Sequence, residues 1–236
     1  MKHTKLKICG MKYDDNMIAI SELQPDYLGF IFYKKSSRYF EASIPEIPKS
    51  IKKTGVFVNA SQEEIIKKVQ LYDLQAIQLH GSESPEFCTE LRKTCHTERS
   101  RDARDEMLNQ VQHDDFYTHI AHIEIIKVFS IKDEFDFDVL KPYETVVDYF
   151  LFDTKGKLPG GNGVTFDWKV LENYSSKKPF FLSGGIGLET IPQLESFLQS
   201  KASKYCYALD INSKFEIVPG LKDIEKLRVF KSKIIN

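Results

Sequence analysis

Apolar residues along the chain fall into two alternating patterns. Short, nearly continuous apolar runs occur at Leu6–Cys9, Tyr27–Phe32, Gly55–Asn59, Ala76–His80, Ile123–Ser130, Tyr149–Asp153, Phe180–Ser183 and Tyr205–Asp210, and a strand buried on both faces of its sheet requires runs of that kind. Between them, apolar positions recur at helical spacing around Tyr13–Leu23, Ile44–Lys53, Gln62–Tyr72, Pro85–Thr94, Phe135–Tyr143, Asp167–Tyr174, Glu189–Leu198 and Lys222–Lys231,. Strict alternation of strand and helix implies parallel strands joined by right-handed crossovers. The pattern therefore predicts a single-domain (β/α)8 barrel, a TIM barrel, over residues 1–236,. A doubly wound open sheet is the alternative, but no Gly-x-Gly-x-x-Gly follows the first strand,.

One stretch breaks the pattern. Residues 96–119 separate the fourth helix from the fifth strand, where a connection of about 2–6 residues suffices. Nine of these 24 residues are charged, and only Met107, Leu108 and Val111 offer a helical apolar face. The segment reads as a partly ordered insertion. Helix-to-strand connections lie at the N-terminal end of a barrel, so the insertion is expected on the face opposite the one that carries active sites. His96 and His113 within it lack metal-ligand spacing,.

Composition narrows the partners. A net charge of -1 leaves no basic field for nucleic acid or anionic lipid,. No apolar run approaches the roughly 18 residues of a membrane span, and the N-terminus enters a strand pattern without a signal-peptide core. A cytoplasmic protein is expected. Cys9, Cys88, Cys95 and Cys206 form no Cys-x-x-Cys pair, so neither a disulfide framework nor a metal site is predicted.

In a barrel, the polar residues just after each strand share one face and carry the chemistry. Here they are Cys9-Gly10, the run from Tyr33 to Arg38, Asn59, His80-Gly81, Asp153, Ser183-Gly184-Gly185 and Asp210-Ile-Asn-Ser213. Gly184-Gly185 can turn backbone N–H groups toward an anion without a Cβ in the way. With Asn212 and Ser213 they fit the phosphate site common after strands 7 and 8, which points to a small phosphorylated substrate. Cys9 and Asp153 form a candidate base and acid. A thiolate accepts protons well once its pKa falls below ~8.5, and Lys7 is a cation near enough in sequence to assist. Arg38 has the planar fork for a carboxylate, and His80 is a weaker candidate, since a packed histidine reads the same way. The loop after Asp153 carries Gly156, Gly160, Gly161 and Gly163, as a hinged cover over a ligand would.

The order of these motifs resembles the phosphoribosylanthranilate isomerase family of tryptophan biosynthesis. The resemblance rests on Lys7-Ile-Cys-Gly10, Leu28-Gly-Phe-Ile-Phe32, Ser36-Ser-Arg-Tyr39, Gly55-Val-Phe-Val-Asn59 and Gln78-Leu-His-Gly81. It continues through Phe152-Asp-Thr154, Gly160-Gly-Asn-Gly163, Phe166-Asp-Trp168, Leu182-Ser-Gly-Gly-Ile186 and Ala208-Leu-Asp210. It implies a cofactor-free Amadori rearrangement of N-(5-phosphoribosyl)anthranilate, with Cys9 as general base and Asp153 as general acid. Arg38 is implied to hold the anthranilate carboxylate, with Gly185, Asn212 and Ser213 in the phosphate site; His80, Gly184 and Asp210 complete the expected substrate-binding set. One departure stands out: Ser213 is followed by Lys214-Phe-Glu216 where the family has Ser-Gly. The competing expectation is a non-catalytic or degenerate phosphosugar-binding barrel. A monomer or homodimer is expected.

Overall fold

Eight parallel strands hydrogen-bond to one another in sequence order and close into a barrel. The computed structural model describes residues 4–95, 122–132, 134–154 and 167–235. The strands are β1 (Lys5–Cys9), β2 (Tyr27–Ile31), β3 (Lys52–Phe57), β4 (Ala76–Leu79), β5 (Glu124–Ile131), β6 (Tyr149–Thr154), β7 (Phe180–Leu182) and β8 (Cys206–Ile211). The α-helices are α1 (Asp14–Ser21), α2 (Gln62–Tyr72), α3 (85–95), α4 (Ile191–Gln199) and α5 (Ile224–Ile234). A two-stranded hairpin, β9 (Glu216–Val218) and β10 (Leu221–Lys222), follows β8. The (β/α)8 expectation is thus met. Among the described residues no helix is long and apolar enough to cross a membrane. The insertion at 96–119 and the loop positions Gly156, Gly160, Gly161 and Gly163 lie outside the described residues.

Both faces of the sheet are buried, for different reasons. The outward residues, among them Leu6, Ile8, Leu28, Phe30, Phe57 and Ile77, join the helices in one large apolar cluster. The inward residues Tyr27, Ala76, Ile126, Val128, Leu151, Phe181 and Ala208 form a second, separate one, so the barrel is filled rather than open. The N-terminal mouth is closed by polar contacts on Glu124. Tyr27 Oη donates to its carboxylate at 3.0 Å and Lys52 Nζ at 2.6 Å. The strands' period of two then sets the site: two residues beyond the plug on their own strands stand Asp153 after Leu151 and Asp210 after Ala208,.

Three sequence expectations need correction. Residues 41–51 contain no helix, and Lys52 and Lys53 belong to β3. Pro45 and Pro48 push Ile44 and Ile47 out of the α region, and the segment covers the core without regular secondary structure, with Ile51 buried. The expected helices at 135–143 and 167–174 are 3-10 helices, Phe137–Tyr143 and Trp168–Asn173. Pro142 lies inside the first, and its missing N–H breaks α-helical bonding,. Lys222 is not the start of the last helix: Asp223 caps α5, its side chain accepting from Lys226 N, and Lys222 belongs to the hairpin.

A buried ion pair ties the loop after β4 to the sheet. Lys127 Nζ lies 3.0 Å from Glu83 Oε2 and donates to Gly81 O at 2.7 Å. Glu83 Oε1 accepts from Asn59 N at 2.8 Å, and Oε2 from Gly81 N at 3.0 Å. Lys127→Met would leave a buried carboxylate with backbone partners alone. The expected cost is about 3 kcal/mol, at the lower end for a broken buried pair, measured as a lower urea midpoint with an unchanged slope.

Candidate active site

The loops after β1, β2, β4, β6, β7 and β8 meet over a single cavity. Its lining includes Cys9, Arg38, His80, Asp153, Gly184, Gly185, Asp210, Asn212 and Ser213, the candidate catalytic and substrate-binding residues, whereas Gly10, Asn59 and Gly81, also singled out after their strands, are outside it. Tyr33, Ser36, Gln78, Thr154 and Lys214 also line it.

Cys9 ends β1 in register with Gly29 of β2. A Cβ on Gly29 would stand 2.7 Å from Cys9 Sγ, so glycine there makes room for the thiol. Gly10 turns the chain with φ +78°, and a Cβ on it would meet Arg38 Cδ at 2.7 Å and Asn212 Oδ1 at 2.8 Å. Behind Cys9 lies the buried pair Lys7–Asp210, with Nζ to Oδ1 at 2.8 Å. Burial pushes the Cys9 thiol up, and it outweighs the lowering by Lys7 and Lys222; Asp210 adds to the rise. The assistance expected from Lys7 is present, but burial outweighs it in the free protein. Burial also raises Asp210 against the pull of Lys7. Lys7 itself is raised, burial being outweighed by Asp210 and Cys9.

Asp153 is buried near the end of β6, with Oδ1 accepting from Thr154 N at 2.9 Å. His80 Nε2 stands 3.5 Å from its Oδ2, a contact too long for a good hydrogen bond. His80 is held from below by its own N–H, which donates to Phe57 O at 2.8 Å. The structure thus joins the weak candidate His80 to the strong one.

Gly184 and Gly185 both have positive φ, +89° and +64°. A Cβ on Gly184 would fall 2.1 Å from Thr154 Oγ1, so the β7 loop passes directly over the end of β6. The following turn is locked by Thr190 Oγ1, which accepts from Gly187 N at 3.0 Å. Ser213–Phe215 forms a 3-10 turn beside it. Lys214 Nζ reaches back to Glu189 Oε1 at 2.7 Å, linking the loops after β7 and β8; the lysine that departs from the family pattern lies at the cavity but is paired.

Sequence reading missed the cluster behind Arg38. Arg38 Nε and Nη2 grip the Glu216 carboxylate at 2.9 and 2.6 Å. Lys222 Nζ, fully buried, donates to Glu216 Oε1 at 2.8 Å and Asn212 Oδ1 at 2.7 Å. Burial lowers Lys222 to about 8. The available signal was a lysine and a glutamate in a short segment otherwise apolar at Phe215, Ile217 and Leu221, but a surface turn has the same pattern.

The chain was compared with known proteins. The family model of N-(5'phosphoribosyl)anthranilate (PRA) isomerase matches residues 6–118 and 110–233. An N-(5'-phosphoribosyl)anthranilate isomerase of Parabacteroides distasonis is 37% identical, over 98% of this chain and 93% of its own. One from Phocaeicola vulgatus is 38% identical over 95% of each. Among solved structures, the phosphoribosyl anthranilate isomerase of Thermotoga maritima superposes with a TM-score of 0.72 at 26% identity, covering 98% of both chains. Another structure, a phosphoribosyl anthranilate isomerase in complex with reduced 1-(o-carboxyphenylamino)-1-deoxyribulose 5-phosphate, gives a TM-score of 0.69 at 25% identity. With its barrel, its cavity and these matches along nearly its whole length, the chain belongs to the N-(5'-phosphoribosyl)anthranilate isomerase family.

Proposed function

We propose that the cavity rearranges N-(5-phosphoribosyl)anthranilate to 1-(2-carboxyphenylamino)-1-deoxyribulose 5-phosphate, with Cys9 as base and Asp153 as acid. The observation that carries this reading is the convergence of both residues, with Arg38, Gly185, Asn212 and Ser213, on one cavity. Family membership makes the protein an isomerase of tryptophan biosynthesis, and retention of a complete acid and base disfavours the degenerate-barrel alternative. A phosphorylated ligand is also what the solved relative holds. A cytoplasmic location and a monomeric or homodimeric state belong to the same proposal.

The chemistry needs no redox partner. The Asp153 carboxyl donates its proton to the furanose ring oxygen as the C1–O bond breaks, leaving an iminium at C1 and a hydroxyl at C4. The Cys9 thiolate then removes the C2 proton, and the electron pair neutralises the iminium to give an enolamine. Protonation at C1 and loss of the O2 proton yield the ketone. Lys7 and Lys222 are the cations that favour the thiolate against burial. Arg38 takes the anthranilate carboxylate, and the loops after β7 and β8 take the phosphate, with His80 and Asp210 flanking the acid and base. Positioned proton transfer of this type contributes about 10²–10⁴-fold per group.

The insertion at 96–119 belongs to the non-catalytic face in this reading, because its anchors are the end of α3 and the start of β5. Deleting it is expected to leave kcat and KM within about twofold; a large loss of turnover by a folded deletion protein argues against that placement.

Cys9→Ala and Asp153→Asn are each expected to lower kcat by at least about 100-fold with circular dichroism unchanged. The decay of substrate fluorescence measures the rate, and near-normal turnover in both variants rejects the assignment. The raised Cys9 thiol makes a second expectation. A raised pKa means less thiolate at any pH below it, so iodoacetamide alkylation of Cys9 should inflect at higher pH than that of free cysteine. Removing the buried pair with Lys7→Met and Asp210→Asn should move the inflection higher still, because Lys7 lowers the thiol more than Asp210 raises it. Peptide mass spectrometry across pH reads both shifts; a downward shift contradicts the electrostatic account.

A further inference from the structure

Arg38 reaches the cavity from the loop after β2, a segment of turns rather than helix. That loop is held locally: Ser36 Oγ accepts from Arg38 N at 3.1 Å, and Phe40 N donates to Ile31 O at 2.9 Å. Neither contact fixes the guanidinium. A long side chain on such a loop samples many rotamers, and ordering it on each binding event weakens binding by roughly two- to twelvefold. The guanidinium is fixed instead by a residue of the hairpin after β8, two strands away around the barrel. Glu216 accepts from Nε at 2.9 and 3.0 Å and from Nη2 at 2.6 Å. This uses one edge of the fork and leaves Nη1 for a second carboxylate.

Glu216 is itself seated from behind. Its Oε1 accepts from Gly220 N at 3.0 Å and from Lys222 Nζ at 2.8 Å. Lys222 is pinned at its backbone, its N–H donating to Asn16 Oδ1 at 2.8 Å and its carbonyl accepting from Asn16 Nδ2 at 2.9 Å. The same ammonium holds Asn212 Oδ1 at 2.7 Å. The hairpin β9–β10 is therefore clamped to α1, and it presents one carboxylate to Arg38. Two cations hold Glu216 below the usual carboxylate range although burial opposes them.

We infer that Glu216 is a positioning residue: it aims Arg38 so that the free edge of the guanidinium meets the benzoate carboxylate of the substrate. The inference rests on the substrate proposed above. It separates from two simpler roles by sign. A carboxylate that acted only as a nearby negative charge would repel the ligand's benzoate, and its removal would tighten binding. A carboxylate that only held the fold together would, when removed, weaken every ligand alike. A positioning carboxylate, when removed, weakens only ligands that carry the benzoate.

The test compares two ligands, reduced 1-(o-carboxyphenylamino)-1-deoxyribulose 5-phosphate and the same molecule without its carboxylate, by calorimetric titration of the full chain. A charge-assisted contact makes wild type prefer the first by about tenfold to a hundredfold. Glu216→Gln, which keeps shape and the acceptor for Gly220 N, is expected to cut that preference by about tenfold while the carboxylate-free ligand keeps its affinity within about twofold. Should buried Lys222 destabilise that variant, Glu216→Gln with Lys222→Met removes both charges; because Lys222 also holds Asn212, only the ratio of the two affinities is read there, and it is expected to fall by the same factor. An unchanged or larger preference overturns the positioning role, as does equal weakening of both ligands, and the isomerase reading survives either result. Failure of wild type to bind either ligand overturns the substrate reading itself and this inference with it.

Discussion

The ion pair between Lys7 and Asp210 sits where the first and last strands meet, and the barrel depends on that seam. The two residues are 203 positions apart and directly opposite in the β1–β8 register. Side chains on a strand alternate faces, so a slip of one residue would turn Lys7 or Asp210 into the outer apolar layer with its charge uncompensated. Such an ion pair adds little net stability compared with packed hydrocarbon. What it supplies is register: only one alignment of β1 and β8 closes the ring with both charges paired. The next inward position on β1 is Cys9, so the contact that fixes closure also fixes where the proposed base stands.

Period-two alternation explains why so much of the site was legible in the sequence. Strand ends are recognisable from apolar runs, and in a closed barrel the residues just beyond them must converge. Cys9, Asp153, Gly184 and Asp210 could be placed together for that reason alone, and they line one cavity. The helical layer was less legible. It is covered surface rather than a hydrogen-bonded ring, and any segment that shields the strands serves. Ile44, Ile47 and Ile51 do so without regular secondary structure around Pro45 and Pro48, with Ile51 buried and the other two packed against the core. Apolar spacing reported what is covered there and not the backbone that covers it. Glu216 and Lys222 were invisible for a different reason. Their partners come from remote loops, and no local pattern distinguishes a buried lysine in a hairpin from a solvated one.

The departure at Lys214 is also clearer in three dimensions. A glycine after Ser213 would let the backbone approach an anion closely. Here Lys214 follows, and its ammonium is tied to Glu189 rather than left as a bare charge over the cavity. Glu189 is lowered chiefly by that hydrogen bond, and the contact sets the lysine against an opposite charge. In the proposed site, anion recognition then falls on backbone N–H groups near Gly184 and Gly185, where positive φ has already been accepted, and on the polar groups of Asn212 and Ser213. The lysine braces the loops after β7 and β8 against each other, which compensates for the freedom lost with glycine.

A raised Cys9 thiol looks unsuited to a base, and the order of the proposed steps resolves this. Before ring opening there is no acidic proton at C2 to remove, and a thiolate standing in a dry pocket would carry its full desolvation cost to no purpose. Ring opening creates an iminium next to C2. That cation acidifies the C2 proton and, at short range in a low-dielectric site, stabilises the thiolate as well. The base is therefore activated by the product of the step that precedes it. Lys7 and Lys222 need only keep the thiolate within reach, and Asp210 keeps Lys7 charged and in place. Burial that raises Cys9 in the free protein is the same burial that makes a nascent cation effective, so the pocket favours the thiol at rest and, once the substrate opens, favours release of its proton to give the thiolate.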